Sequence, residues 1–275
     1  DRGEDADEGS PHRGKVRVLR TNERARPIPV AATIEAMDTL IVAVVFAVTA
    51  TAALVQGTVG VGFAMVAVPV TSLIAPELAP VPQLLIVLPL TVSMAWRERH
   101  AMDLTGVGWI IAGRFPGAAI GVALLAVATQ QTLDLFIGGV VLAAVAIIAT
   151  GFRVHRNPAT KFAAGVGAGT TGLVASMGGP PIALIYNDDE AATIRSTLAA
   201  VFTIGVTIST IVRFGTGNVT ARDLRTSLIL FPAVVIGYAV SVRVKDAIPR
   251  NTVRSTILIV STVAGVLLLV RAAWG

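Results

Sequence analysis

The chain has 275 residues, of which 54% are hydrophobic and only 14% are charged, and its mean hydropathy is +0.76. A soluble domain carries roughly 25% charged residues because it needs a wet surface, so this composition excludes the soluble classes. The apolar residues come in blocks of about 17–25, the length that spans a hydrocarbon core as a helix. We therefore predict an all-α, polytopic integral membrane protein in a lipid bilayer.

The net charge of +5 at pH 7 raises the question of a nucleic-acid partner. The lysines and arginines are scattered between the apolar blocks and form no stripe or patch, which argues against that class. The chain has no cysteine, so disulfides and thiolate metal sites are excluded as well. We expect no nucleic acid, no metal and no cofactor.

Residues 1–36 form a charged stretch without an apolar run. This composition is typical of a disordered N-terminal tail, because it cannot bury enough apolar surface to fold. The first methionine, Met37, stands directly before the first apolar block. We therefore expect the tail to be dispensable for insertion and folding.

About eight apolar segments follow the tail, and the first and fifth are long and interrupted by glycine and proline. Arginine and lysine follow the second, fourth and sixth segments, which favours a cytoplasmic position for both termini. The loop with Arg243, Lys245 and Arg250 opposes this orientation. The approximate bounds of the segments are 39–74, 79–96, 104–128, 132–152, 161–187, 192–213, 223–243 and 252–272.

The sequence repeats itself once. The stretch 56–70 (QGTVGVGFAMVAVPV) recurs at 168–182 (AGTTGLVASMGGPPI), with glycines, a methionine and a proline matched at an offset of 112. The stretch 114–121 (RFPGAAIG) recurs at 230–237 (LFPAVVIG), at an offset of 116. Because these matches keep one order along the chain, we predict two homologous four-helix halves.

These halves, 38–152 and 161–273, each contain one Gly/Pro-interrupted segment at the corresponding place. Duplicated halves with paired breaks are the best sequence indication of a transporter and of its substrate site. The alternative is that duplication only built a large helical bundle.

Backbone that leaves the helical conformation cannot face lipid, because its N–H and C=O groups have no partner there. The breaks should therefore face protein or a wet cavity, where a half-helix N-terminus directs partial positive charge at an anion. Close helix packing through small residues is the alternative for any single glycine cluster. The candidate substrate-binding residues in the breaks are Gln56, Gly57, Thr58, Gly60, Gly62, Gly169, Thr170, Thr171, Gly172, Ser176, Gly178, Gly179 and Pro180.

Arg114 is a further candidate substrate-binding residue, because it lies inside the third segment, ten residues after Leu104. A charge at such depth costs about 2.5–3.5 kcal/mol on insertion scales, so it should face the protein interior or water and have a partner. Its planar fork suits the oxygens of an anion. The alternatives are a snorkelling side chain or a structural ion pair, with Asp103 or Asp134 as the candidate partner.

Other charged residues lie at segment ends. Arg97 and Arg213 are repeat mates, 116 positions apart, and terminal arginines of this kind usually snorkel or set topology. No carboxylate lies deep inside a segment, so a proton relay of the kind that proton-coupled carriers use is not evident.

The paired glycine-rich segments that end in proline, one in each half, resemble the TauE/SafE sulfite exporter family of bacterial permeases. This resemblance covers 38–273 and implies a permease for a small organosulfur anion such as sulfite, sulfoacetate or another sulfonate. It also implies the bacterial inner membrane and a site between the two broken helices. It rests on Gly57, Gly60, Gly62, Pro69, Gly165, Gly169, Gly172, Gly178, Gly179, Pro180 and Pro181.

Two other functions compete with an anion permease. A non-transporting membrane scaffold subunit would have no ligand cavity at the breaks. An intramembrane enzyme would need a convergent nucleophile, base or metal cluster, and Ser176 has no base near it in the sequence. We therefore expect no enzymatic activity and no catalytic residue. We expect a small anionic substrate, with a homodimer as a candidate assembly.

Overall fold

The computed structural model describes residues 39–150, 154–186, 190–245, 247 and 250–274. All regular structure in these ranges is helical, which confirms the predicted all-α class. The predicted N-terminal tail lies outside the described residues. The division into two homologous halves stays a prediction, although the helices of both follow the same order.

The described residues form ten α-helices and two short 3-10 helices. Seven of the α-helices are long and apolar enough to cross a membrane. The helix Pro158–Ala175, with 18 residues, covers the first part of the predicted segment 161–187. This agrees with the predicted number of about eight transmembrane helices. The α-helices are α1 Thr39–Val59, α2 Phe63–Ile74, α3 Val81–Arg97, α4 Val107–Ala126, α5 Gln130–Thr150, α6 Pro158–Ala175, α7 Gly179–Ala183, α8 Ala191–Gly215, α9 Ala221–Val244 and α10 Arg250–Trp274, and the 3-10 helices are Pro76–Leu78 and Arg99–Ala101.

The first broken segment folds into a hairpin. α3 begins shortly after α2 ends, so the end of α2 and the start of α3 lie on the same face. Arg97, at the end of α3, donates a hydrogen bond to the carbonyl oxygen of Gly57, near the end of α1 (3.3 Å). α1 and α3 therefore run in the same direction, and α2 runs back.

The second broken segment reverses in the same way. Arg213, near the end of α8, donates a hydrogen bond to the carbonyl oxygen of Leu173, near the end of α6 (2.8 Å). Arg156, just before α6, donates to the carbonyl oxygen of Ile185, just after α7 (2.6 Å). The sequence predicted both breaks correctly, but it did not predict that the chain turns back at each of them.

The helices α1–α5 and the helices α6–α10, called the two halves below, have opposite directions in the membrane. Glu98, after α3, accepts hydrogen bonds from Arg195, at the start of α8, so α3 and α8 are antiparallel. Lys161, in the first turn of α6, reaches the carbonyl oxygen of Thr105 in the connection after α3 (2.6 Å). α6 thus begins on the face opposite to the one where α1 begins. We name these the terminal face, where α1 begins and α10 ends, and the opposite face.

The inverted halves interlock through their broken helices. α1 packs against α9, and α6 packs against α4, so each half supplies the partner for the other half's hairpin. Glycines permit these contacts, since a Cβ on Gly113 would lie 2.1 Å from the carbonyl oxygen of Phe162. α3 with α8, and α5 with α10, complete the pairs that relate one half to the other.

The hairpins change the sidedness of the loops. The predicted orientation assumed that each broken segment crosses the membrane once. A hairpin instead enters and leaves on the same face, so each hairpin reverses the face of the loops that follow it. The loop after α9 therefore lies on the opposite face, together with the loop after α3. Both ends of the described chain still share one face, and a cytoplasmic position for them stays a prediction.

Because the chain has no cysteine, single-cysteine variants test this topology directly. His100→Cys follows α3 and Asn218→Cys follows α8, and both positions are exposed. We expect a membrane-impermeant maleimide to label the two from opposite sides of sealed vesicles. Eight simple crossings would place both on one side, so labelling from a single side would contradict the hairpins.

Candidate functional site

A cavity of about 40 Å³ lies between the two hairpin turns, walled by α3, α4 and α8. A single buried water needs roughly 10–15 Å³, so the cavity has room for a small solute and not for a large one. The predicted residues that line it are Gln56, Gly62, Arg114, Gly172, Ser176, Gly178, Gly179 and Pro180.

The other predicted residues lie near the cavity and not on it. Gly57 contacts Ser241 of α9, and Gly60 contacts the backbone of Arg195. The role of Gly169 is close packing, because a Cβ there would lie 2.6 Å from the backbone oxygen of Arg114. The hydroxyls of Thr58, Thr170 and Thr171 donate to carbonyl oxygens of Val55, Gly117 and Met177 at 2.8, 3.0 and 2.9 Å.

The first turn directs the N-terminus of α2 into the cavity. Gly60 and Gly62 have φ values of 100° and 127°, a left-handed region that disfavours side chains. The Gln56 side-chain oxygen accepts a hydrogen bond from the Phe63 N–H (3.1 Å), which occupies one free amide of the new helix. Because Gly62 and Met65 line the cavity, the positive end of the helix dipole faces it.

The second turn is held by hydrogen bonds across itself. The Met177 N–H donates to the carbonyl oxygen of Thr171 (3.1 Å), and the Thr171 hydroxyl donates back to the Met177 carbonyl oxygen (2.9 Å). Ser176 has a φ of 57°, and its hydroxyl donates to the carbonyl oxygen of Pro80 at the start of α3 (2.9 Å). The turn is therefore fixed while Gly178 and Gly179 remain at the cavity wall.

Arg114 carries the charge of the cavity. Its side chain is only 3% exposed, and its guanidinium lies beside Gly178 in the second turn. Among the described residues, no acceptor receives a hydrogen bond from this guanidinium and no carboxylate pairs with it. The structural ion pair that the sequence left open is therefore absent from the described part of the chain.

The two carboxylates considered as partners of Arg114 are engaged elsewhere. Asp134 forms an ion pair with Arg271 (2.7 Å). Hydrogen bonds from the side chain of Thr105 and from its N–H (2.8 Å) hold the pKa of the Asp103 carboxyl below its ordinary value. The charge of Arg114 is therefore left for whatever enters the cavity.

Neutral donors face the same space. The Gln56 oxygen is occupied by the Phe63 N–H, so its amide nitrogen is the end that remains for the cavity. The Ser209 hydroxyl, on α8, has no hydrogen-bond partner among the described residues and also lines the cavity. A fixed cation with free N–H and O–H groups makes a site that attracts anions.

Sequence reasoning missed the residues that α3 and α8 contribute. Thr91 comes from α3, and Phe202, Gly205 and Ser209 come from α8. Both helices are unbroken, and their interiors contain only a single proline (Pro89) and a single glycine (Gly205), so neither has a glycine-proline cluster. The spacing of 202, 205 and 209 places these positions on one helical face, which was the available signal.

Arg97 and Arg213, expected to snorkel, point inward instead. Arg213 is 3% exposed and donates to the carbonyl oxygens of Leu173 and Val174, at the C-terminal end of α6. Arg97 donates to the carbonyl oxygen of Gly57, near the C-terminal end of α1. Each of the two arginines therefore donates to carbonyl oxygens at the end of a broken helix and offsets the partial negative charge of that helix end.

An ion cluster joins the halves at the opposite face. Glu98 accepts from Arg97 (3.2 Å), Arg195 (3.0 Å) and Lys245 (3.3 Å). Burial alone would raise the pKa of the Glu98 carboxyl, but the hydrogen bond from Arg195 and the charges of Arg195 and Arg97 outweigh it. The pKa therefore lies below its ordinary value of 4.5.

Broken membrane helices that pack between two oppositely directed groups of helices are typical of one class of protein, the secondary transporters. The sequence model of the family described as Sulfite exporter TauE/SafE matches residues 45–268. The chain belongs to the TauE/SafE sulfite exporter family, as the resemblance predicted. This family is one of membrane transporters of sulfur anions. Searches of curated proteins and of solved structures found no match.

Replacing Arg213 should destabilise the second hairpin. Arg213→Ala leaves the buried carbonyls of Leu173 and Val174 without their charged donor, a loss of about 2–3 kcal/mol. We expect a clear decrease in the melting temperature of the purified protein. Arg222→Ala, an exposed arginine near the same face, is the matched control. Equal melting temperatures for the two variants would contradict a capping role.

The Glu98 cluster predicts a pH dependence of stability. Glu98→Gln should lower the melting temperature at neutral pH by about 5 °C, because one partner of a part-buried cluster is lost. Since the folded pKa is depressed, the carboxylate stabilises the fold fully above pH 4.5. The difference between wild type and variant should shrink as pH falls through the folded pKa. A difference that persists unchanged in acid would assign the effect to packing.

Proposed function

We propose that the chain is a permease that moves a small organosulfur anion, such as sulfite, sulfoacetate or another sulfonate, across the bacterial inner membrane. We further propose that the cavity between the two hairpin turns is its substrate site. In this proposal the protein lies in the lipid bilayer and binds a small anion as its substrate. It does not bind nucleic acid. A homodimer is a candidate assembly.

The observation that carries this proposal is the unpaired charge of Arg114. A buried cation in a membrane protein is costly, and such residues ordinarily pair or line an ion pathway. No described carboxylate pairs with Arg114, and its guanidinium borders the cavity. An anion in the cavity would supply the missing partner.

The donors around the cavity suit the oxygens of sulfite or a sulfonate. A guanidinium presents a planar fork of N–H groups that binds two oxygens of an oxyanion at once. The Gln56 amide, the Ser209 hydroxyl and the N-terminus of α2 add neutral donors from two other directions. The third oxygen of a pyramidal sulfite or of a sulfonate group would find a donor among them.

The inverted halves suggest how access to the cavity alternates. In such transporters one half rocks against the other around a fixed site between broken helices. Here the two hairpin turns both border the cavity. The Glu98 cluster ties the two halves together at the opposite face. Opening toward that face would require these ion pairs to separate.

The competing functions have less support. A scaffold subunit gives no reason for an unpaired arginine beside a cavity. For an enzyme, Ser176 is the only nucleophile that the breaks suggested, and its hydroxyl donates to the Pro80 carbonyl oxygen. His100 and His155 lie outside the helices that wall the cavity, so neither is placed as a base.

Flux in proteoliposomes tests the proposal. We expect saturable uptake of labelled sulfite or sulfoacetate, competed by related unlabelled anions. Arg114→Ala should reduce flux at least about tenfold, the equivalent of one lost charge-assisted contact, and Arg114→Lys should retain part of it. Arg99→Ala, which removes an exposed arginine that stacks on Trp96, is the control.

A measurement of sulfite binding through the melting temperature distinguishes a folded but inactive variant from an unfolded one. Sulfite at about 100 times its Kd should stabilise the wild type by about 2.7 kcal/mol, seen as a higher melting temperature. It should not stabilise Arg114→Ala. Unchanged flux and unchanged stabilisation in folded Arg114→Ala would remove the cavity from the mechanism, and absence of any anion effect on the wild type would favour the scaffold.

A further inference from the structure

Gly205 of α8 faces the guanidinium of Arg114. A Cβ at this position would lie 1.8 Å from Nη1, 1.9 Å from Cζ and 2.3 Å from Nη2 of Arg114. No side chain fits at these distances without moving the guanidinium. The space that a side chain at position 205 would occupy is therefore taken by the charged group of the site.

Neither backbone conformation nor helix packing explains this glycine. Gly205 lies in the interior of α8 with no left-handed φ, where glycine is the poorest helix former after proline. At Gly117 and Gly165, a Cβ would meet backbone carbonyl oxygens of a neighbouring helix, at 2.2 Å in both cases. At Gly205 the three nearest atoms all belong to the Arg114 guanidinium.

Gly178 borders the same guanidinium from the second turn. A Cβ there would lie 3.3 Å from Nη2 of Arg114 and 3.0 Å from the carbonyl oxygen of Ala168. The guanidinium thus lies against two glycines, one on α8 and one in the turn, and both also line the cavity. Its position is set by the shape of this surface, because no described acceptor fixes it.

The internal repeat supports a paired role for Arg114 and Gly205. At the offset of 116, the counterpart of Arg114 is Leu230, and the counterpart of Gly205 is Pro89. Leu230 is 1% exposed and belongs to an apolar cluster. The pair Arg114 and Gly205 therefore corresponds to the pair Leu230 and Pro89, in which both the arginine and the glycine are absent.

We propose that Gly205 is a positioning residue that also determines specificity in the anion site. It provides the space for the Arg114 guanidinium and so sets how much of the cavity is left for the substrate. This inference rests on the proposed function, because it assumes that the anion binds at Arg114. A methyl group at position 205 would push the guanidinium into a cavity of only about 40 Å³.

The transport test uses Gly205→Ala in proteoliposomes. We expect KM to rise about tenfold or more for sulfite, the loss expected for a displaced charge-assisted contact. KM should rise further for sulfoacetate, which is larger. Gly215→Ala is the matched control, since it changes a glycine of the same helix with nothing within 4 Å of its Cβ position. Equal KM values for Gly205→Ala and wild type would overturn the inference, even where Arg114→Ala abolishes flux.

A double-mutant cycle keeps the test decisive if Gly205→Ala folds poorly. We expect Gly205→Ala to lower the melting temperature in the wild-type background and to have little effect in an Arg114→Ala background, where no guanidinium remains to clash. Equal destabilisation in both backgrounds would show that Gly205 acts through packing and would overturn the inference. Failure of the proposed function is distinct, because flux would then be insensitive to Arg114→Ala itself.

Discussion

A backbone N–H or C=O group inside a bilayer must find its partner within the protein, because lipid offers none. Each hairpin turn breaks a helix and frees several such groups, so each turn exists only where side chains replace the lost bonds. Gln56 does this for the start of α2, and Arg97 and Arg213 do it for the ends of α1 and α6. These side chains make it possible for irregular backbone to lie beside a cavity within the membrane.

The candidate site is asymmetric, although the helices of the two halves follow the same order and pack in matched pairs. The arginine caps recur in both halves at matched positions, as the needs of two equivalent turns require. The charge of the cavity does not recur, since the counterpart of Arg114 is Leu230 in an apolar cluster. The matched arginines therefore serve the backbone, and under the proposed function the unmatched residues distinguish the ligand. A single cation in a small cavity suits one small anion at a time.

The sequence was sufficient for the class, the segments and the breaks, because apolar length and glycine-proline interruptions are local signals. It was not sufficient for the direction of the chain after each break, since α2 and α7 are too short to register as crossings. It identified Arg114 as an intramembrane charge but left its partner open, because Asp134 pairs with Arg271 from a helix far along the chain. Gly205 and Ser209 were missed for a related reason. They lie on an unbroken helix, and their place at the cavity depends on residues that are distant in the sequence.

The interlocking of the halves has a consequence for biosynthesis. α4 presents Gly113, Gly117 and Gly121 to α6, and α6 is synthesised after the whole of the first half. Until then α4 lacks α6 as a packing partner, and α1 lacks the helix α9 against which it packs. The packing of α1 and of α4 in the first half must therefore wait for the synthesis of the second half.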